Sequence, residues 1–306
     1  HVWTAYSLLS SWSRMVESFL VAKAEGNEAL KVFINQVLGE TWEERGETVE
    51  EGSLLARRET YPAEVPAWAG VLTCGVDIQG DRLEYSVWAW GAERRHGLIK
   101  HEALWGDPGQ TEVWRQLDAV LLRPWQHEGG QMLKIRATAI DTAGHHTQAA
   151  YAYIGARPSM NLFATKGSSE PGKAAVGQPS KNKKLKVRLF LLGTEALKDA
   201  VYSSLRVETP GPGYCHLPWV DEEYLRQLTG EIARTKYIKG RAYRVYQRRY
   251  ERVEALDCAC LARAALLLLG PIRDQLGKIV DKLNEDSPVP APKPRRTTGT
   301  GWMGGI

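Results

Sequence analysis

The stretch Val71-Leu72-Thr73-Cys74-Gly75-Val76-Asp77 decides how this chain folds. It is short, apolar and closed by a carboxylate, and the turn-forming Gln79-Gly80-Asp81 stands behind it, as expected of a buried strand. A second stretch, Ile135-Arg136-Ala137-Thr138-Ala139-Ile140-Asp141, has the same form. The period of two puts Val71, Thr73, Gly75 and Asp77 on one face, and Ile135, Ala137, Ala139 and Asp141 on one face. If the two strands are parallel neighbours, both acids open onto the crevice where open α/β sheets bind ligands.

Outward from this pair, Leu83–Trp90 alternates and Leu98–Leu104 forms a third strand, so short links predict an antiparallel meander. Val113, Trp114, Leu117, Val120 and Leu121 predict a helix opened by Pro108-Gly109, and another runs from about His145 to Ile154. Leu162–Thr165 and Val187–Leu192 read as short strands flanking a Gly/Pro/Lys-rich loop. Tyr224 to Ile232 reads as a helix, Tyr243–Tyr246 as a short strand, and Glu254 to Leu269 as a strong helix followed, beyond Pro271, by a short amphipathic piece. On the N-terminal side, residues 8–38 carry helical spacing in two blocks separated by the polar Glu25–Glu28. Residues 39–59 are polar, with acids outnumbering bases, and Pro62 and Pro66 follow. The expected organisation is a helical linker segment over 1–65, an α/β domain over 66–272, and a tail over 273–306 that is disordered from Pro288 on.

Composition closes several classes. With 306 residues, 43% hydrophobic and 25% charged, the chain has ordinary globular usage and ample material for a core. Its longest apolar run, Leu261–Leu269, is broken by Arg263 and falls short of the roughly 20 residues of a membrane span, so no membrane partner is expected. Cys74, Cys215, Cys258 and Cys260 are too sparse for a disulfide framework, and Cys258-Ala259-Cys260 lacks a second pair at zinc spacing; a reduced cytosolic chain follows. The first residue is His1 and no leader precedes the amphipathic stretch, so the chain reads as the back portion of something longer.

A third acid joins the first two. Asp257 lies in the first turn of the helix that starts at Glu254, on the side of Cys260, Leu261 and Ala264, and so points inward. Converging carboxylates repel and raise one another's pKa, an objection that hard divalent cations remove. Two such ions roughly 3.5–4 Å apart suit in-line cleavage of a phosphodiester. The same acids also have structural readings, Asp77 and Asp141 as turn or cap residues and Asp257 as a partner of the helix dipole. His145 is an auxiliary candidate beside Asp141.

Basic residues cluster in two places. Lys173–Arg188 holds six and no acid, among them Lys181, Lys183, Lys184 and Lys186. Arg234–Arg252 holds eight against one acid, among them Arg244, Arg248 and Arg249, interleaved with Tyr237, Tyr243, Tyr246 and Tyr250. Such patches fit phosphate contacts with aromatics available to pack on sugar or base, although a solvated charged face has the same composition. Gly167-Ser168-Ser169-Glu170-Pro171-Gly172-Lys173 has phosphate-loop spacing, but Ala174 lacks the hydroxyl for Mg²⁺, and Gly177 with Pro179 leaves no room for the required helix. It reads as a mobile basic loop, and no ATP site is expected in this chain.

Phe33–Glu44, Cys74–Glu84, Ile140–His146, Gln227–Glu231 and Glu254–Asp257 follow one another along the chain, and this ordered series resembles the C-terminal nuclease domain of the large terminase subunit of lambda-like tailed bacteriophages. Phe33-Ile34-Asn35-Gln36-Val37-Leu38-Gly39-Glu40-Thr41-Trp42-Glu43-Glu44 is similar to the segment joining that family's two halves. Cys74–Glu84 resembles its first nuclease strand, and Ile140-Asp141-Thr142-Ala143-Gly144-His145-His146 its second acidic motif, with Ala143 where glycine is expected. Gln227-Leu228-Thr229-Gly230-Glu231 and Glu254-Ala255-Leu256-Asp257 are similar to its closing motifs. The resemblance implies an RNase H-like mixed five-stranded sheet flanked by helices, with the first and fourth strands side by side. It implies an endonuclease that cuts concatemeric double-stranded DNA at the start and end of packaging in the host cytoplasm. Asp77, Asp141 and Asp257 would hold two Mg²⁺ or Mn²⁺ ions, with water as nucleophile. The implied partners are DNA, an ATPase domain of the same full-length protein, a small terminase subunit and the prohead portal. A resolvase or transposase-type nuclease of the same fold, and a non-catalytic docking module, are the alternatives.

Overall fold

A computed structural model describes residues 11–25, 29, 32–39, 49–144, 146–182, 187–238 and 241–286. Two compact units divide the chain, His1–Glu47 and Thr48–Ile306. In the first, α1 (Trp12–Glu25) is followed by a π-helical turn, Ile34–Leu38, which ends on Gly39 in the left-handed region. Phe19 and Phe33 meet within this unit, ring centroids 5.6 Å apart.

The second unit is built on a mixed sheet. Its strands are β1 (Ala69–Ile78), β2 (Arg82–Gly91), β3 (His96–Trp105), β6 (Ile135–Asp141), β7 (Leu162–Gly167), β8 (Val176–Asn182), β9 (Val187–Leu192) and β10 (Cys215–His216), in the order β10-β3-β2-β1-β6-β7-β9-β8. The short pair β4 (Trp125–Gln126) and β5 (Met132–Leu133) stands apart from it. β1, β2 and β3 form the expected antiparallel meander, whereas β6 runs parallel to β1 and β7 parallel to β6. This inner arrangement, with the first and fourth long strands adjacent, is that of an RNase H-like sheet; short strands at both edges widen it from five to eight.

Both faces of β1 are buried, which explains its near-continuous apolar sequence. Leu72, Cys74 and Val76 enter one core, against α3 (Thr111–Leu122) and α4 (Thr147–Gly155). Val71 enters the other, shared with α2 (Glu51–Ala56), α5 (Thr194–Leu205), α6 (Glu222–Leu228) and α7 (Glu254–Leu268). Thr73 and Gly75 lie on that face and bring α7 close to the strand. A side chain at position 75 would have its Cβ 2.0 Å from the Cys258 carbonyl oxygen, so only glycine admits this approach. The Thr73 hydroxyl donates to the Ala262 carbonyl at 2.7 Å and accepts from the Trp90 indole N–H at 2.7 Å. The Cys258 thiol donates to the Glu84 carbonyl at 3.3 Å.

Four expectations change. The Gly/Pro/Lys-rich loop contains β8, a strand antiparallel to β9 at the sheet's edge, where Pro179 costs no interior ladder bond. The helix expected to reach Ile232 stops at Leu228; Thr229-Gly230 turns the chain into β11 (Glu231–Ile238), which pairs with β12 (Arg241–Arg248) in a separate hairpin. The polar connector 39–59 contains α2, whose Leu54 is fully buried. α5 lies where no element was expected. Beyond α7, α8 (Pro271–Asp274) and α9 (Leu276–Glu285) complete the described chain, and the tail expected from Pro288 on lies outside it.

Candidate active site

Asp77 and Asp141 end adjacent parallel strands. Val76 pairs with Ile140, so the two acids leave the sheet together at its carboxyl edge. Beside Asp141 the chain turns sharply through Gly144, at φ +106°, and the Asp141 carboxylate accepts the Ala143 N–H at 2.9 Å. Thr142 donates through its N–H and its hydroxyl to the Thr165 carbonyl at 2.8 and 2.9 Å, which fixes this turn to β7. Asp257 arrives from α7, whose position is set by the close contact over Gly75.

The electrostatics follow from burial and like charge. The Asp77 side chain is 8% exposed; burial raises its carboxyl first, and the charges of Asp257 and Asp141 raise it further, to about 7, against a lowering by the Gln79 amide that donates at 2.6 Å. Burial lifts Asp257 to about 6, opposed mainly by Lys198 and reinforced by Glu231. Burial also raises Asp141, while the Ala143 N–H and the Lys166 charge act downward. The three acids therefore share one electrostatic neighbourhood. Among the described residues, however, no group of three His, Cys, Asp or Glu side chains is gathered closely enough to hold a metal ion. The donor chemistry fits a hard cation nonetheless, because carboxylates raised by burial, and in Asp77 and Asp257 by neighbouring acids as well, are those whose charge a divalent ion would offset.

Several neighbours of the acids escaped the sequence reading. Lys198, on α5, pairs with the buried Glu231 at 2.7 Å and reaches Asp257 at 3.9 Å. The spacing of Leu197, Val201, Tyr202 and Leu205 is the helical signal that could have found α5 and its lysine. Glu84 pairs directly with Asp77 across β1 and β2 and is 1% exposed. Unlike Asp77 it is compensated, by Arg82 at 2.6 Å and Arg252 at 2.8 Å, and both arginines also reach Glu254.

The basic candidates divide. Arg248 sits opposite Glu231 at the base of the β11–β12 hairpin, is exposed, and its charge lowers Asp257. Arg249 is exposed and lies 5.1 Å from the centre of the Tyr250 ring. Arg244 is instead engaged with Asp199 at 2.7 Å. Lys181 belongs to the backbone of β8, opposite Arg188, while Lys183, Lys184, Lys186 and His145 lie outside the described residues. The phosphate-loop-like segment runs from the end of β7 toward a strand and not a helix. All four cysteines are free and buried, and no described helix is long and apolar enough to cross a membrane.

Comparison with known proteins adds an independent line. Over 275 residues the chain is 31% identical to the terminase large subunit of Escherichia phage lambda, which covers 87% of this chain and 43% of that protein. The terminase large subunit of Enterobacteria phage P21 is 31% identical over 276 residues, with coverages of 87% and 43%. The chain thus spans about two fifths of the length of the curated relatives it matches. Among solved structures, the large terminase nuclease from thermophilic phage G20c with bound magnesium is 14% identical, covering 72% of this chain and 98% of that one at a TM-score of 0.41. A mutant nuclease domain of the large terminase subunit gp2 of bacterial virus Sf6 with manganese is 11% identical, with coverages of 70% and 97% and a TM-score of 0.40. The family described as terminase large subunit gpA, endonuclease domain, matches residues 1–276, and with the lambda and P21 identities this match shows that the chain belongs to that endonuclease-domain family.

Proposed function

We propose that this domain is a divalent-metal-dependent DNA endonuclease whose site is Asp77, Asp141 and Asp257, and that it cuts concatemeric double-stranded DNA at the start and end of genome packaging. The observation that supports the reading is that Asp77 and Asp141 end adjacent parallel strands and that the charges of Asp257 and Asp141 act on Asp77, all three carboxyls being held above the ordinary carboxylate range.

In this reading Asp77, Asp141 and Asp257 would hold two Mg²⁺ or Mn²⁺ ions. When bound, such a pair supplies charge stabilisation to the attacking and leaving oxygens and makes water a usable nucleophile near neutral pH. The protein's part is positioning. Gln79 orients Asp77 through its 2.6 Å hydrogen bond, and the Ala143 N–H orients Asp141. Lys198, anchored on Glu231 at 2.7 Å, steadies Asp257 from 3.9 Å. Asp77, raised to about 7, would have to release its proton to hold a cation, so cation binding would weaken below neutral pH. Arg248 and Arg249 meet phosphates beside the acids, with Lys181, Lys183, Lys184 and Lys186 as further contacts and Arg244 fixing the hairpin to α5. These are backbone contacts and carry no base specificity. His145 is proposed only as an auxiliary group.

The proposed partners are those of a packaging motor: double-stranded DNA, an ATPase domain of the same full-length protein, a small terminase subunit and the prohead portal, met in the host cytoplasm. The test is conversion of supercoiled plasmid to nicked and linear forms in Mn²⁺, Mg²⁺ or EDTA. Cleavage should require the cation and drop by about 10³-fold or more in Asp141→Ala, the loss expected when a cation ligand of the reacting centre is removed. A folded protein that binds DNA but cleaves with neither metal would sink the catalytic reading and leave the docking module.

A further inference from the structure

At the opposite end of β2 from Glu84, the structure has a second place where charge lacks an ion-pair partner among the described residues, of the opposite sign. Trp90 there pairs with Val71, six residues from Asp77 along β1 and so about 20 Å away. Two cavities meet at this end, of about 610 and 470 Å³, and both are lined by Arg94 and Arg263. Either volume falls within the range of small-molecule pockets.

Arg263 projects from the middle of α7 and is only partly exposed. Among the described residues its aromatic contact is Trp90, with the guanidinium carbon 5.8 Å from the ring centre. Among the described residues no carboxylate lies within ion-pair distance of Arg263, Arg94 or Arg95. Glu93 and Asp274 also line the larger cavity and Asp199 the smaller, but Asp274 is paired with Arg273 at 2.9 Å and Asp199 with Arg244 at 2.7 Å, while burial pushes the thiols of Cys260 and Cys215 up to about 12, so both thiols are neutral. His96, stacked on Trp90 at 5.2 Å, is held down to about 3 by burial and the Arg263 charge, and is neutral as well. Arg263 is thus a half-buried cation that faces both cavities without an ion-pair partner among the described residues, which leaves its guanidinium available to an anion.

The loop that brings Arg94 to the same place is itself unusual. Glu93 and Arg94 are consecutive non-glycine residues in the left-handed region, at φ +52° and +63°. The strain is held by the Gly91 N–H donating to the Arg95 carbonyl at 2.8 Å and the Gly213 N–H donating to the Glu93 carbonyl at 2.9 Å. Backbone strain of this kind persists where the surroundings over-determine it, typically at ligand clamps. Leu266, Leu267 and Leu276 give the larger cavity an apolar wall beside the Trp90 ring.

We propose that these joined cavities form a binding site for a small organic anion, a phosphate or carboxylate carried on a flat apolar body, with Arg263 and Arg94 on the anion and Trp90 against the body. The concave shape suits a small molecule and not a flat macromolecular surface. The site is separate from the carboxylate cluster and stands whether or not the proposed nuclease chemistry is correct.

Isothermal titration calorimetry with phenyl phosphate, benzoate and inorganic phosphate tests it. Phenyl phosphate or benzoate should bind saturably at one site per chain, the stronger of the two identifying the anionic group, and inorganic phosphate at least tenfold more weakly. Arg263→Met should weaken the better ligand at least tenfold while raising the melting temperature of the unliganded protein. Arg94→Ala, at an exposed position where folding is not at stake, should weaken it at least threefold. Absence of saturable binding by either organic anion, equal affinity for inorganic phosphate, or affinity unchanged in both variants would each overturn the assignment.

Discussion

The carboxylate end and the arginine end of the central sheet are made from the same three elements, β1, β2 and α7, yet they treat charge in opposite ways from the Glu84 cluster beside them. Glu84 is as buried as any charged group in the chain, but Arg82 and Arg252 satisfy it and it is held entirely within the fold. Asp77, its direct partner across the strands, has among the described residues an amide donor and the like charges of Asp257, Asp141 and Glu254 for company. Arg263, at the far end, has an aromatic ring and neutral thiols. Burial alone therefore does not mark a site here. The distinguishing feature is burial without compensation, since a paired charge has settled its desolvation within the fold while an unpaired one keeps an unmet demand for a ligand.

The difference predicts substitutions of opposite sign. Arg82→Met breaks the compensated cluster and leaves Glu84 with a single close arginine; it should cost about 3 kcal/mol of stability, read as a lowered midpoint in urea. Asp77→Asn removes the uncompensated charge and should stabilise the metal-free protein by about 2 kcal/mol at pH 8 while abolishing cation-dependent cleavage. Should both variants destabilise equally, the two acids would not differ in the way described.

The pH dependence sharpens the same contrast. Asp77 is raised from 3.8 to about 7, so between those values the folded protein holds a proton that the unfolded chain has released. Stability of the metal-free protein must then fall as pH rises from about 4 to 7, with the gain present below that window and lost above it. Thermal melts across this range should show the slope in the wild type and a flatter profile in Asp77→Asn. An identical slope in the variant would assign the effect elsewhere.

A smaller effect is expected at the hairpin. Arg248→Ala should weaken DNA binding uniformly across sequences and reduce the slope of log K against log salt by about 0.9, the release of one counterion. Loss of discrimination between sequences, with the salt slope unchanged, would argue for base reading instead.

Much of this organisation is legible in the sequence where pattern is local. The strand at Val71–Asp77, the meander after it and the final helix each announce themselves through periodicity of two or near four, and Asp77, Asp141 and Asp257 are conspicuous at their ends. β8 is not legible, because Gly177 and Pro179 argue against a strand unless its place at the sheet's edge is known. The stop after Leu228 is equally hidden, since Ile232 continues an apolar helical spacing that pairing with β12 overrides.

By itself, then, the sequence determined the central strands, the helix that carries Asp257, the strand-end acids and their family likeness, since these reside in short-range spacing and motif order. Only the tertiary structure decided which buried charges are compensated. Glu84 meets Arg252, Lys198 meets Glu231, and Arg263 meets no carboxylate among the described residues; each of these depends on strands and helices far apart in sequence packing against one another. Periodicity reports which side of an element faces inward, but the charge balance of a buried site is a property of every element that packs there.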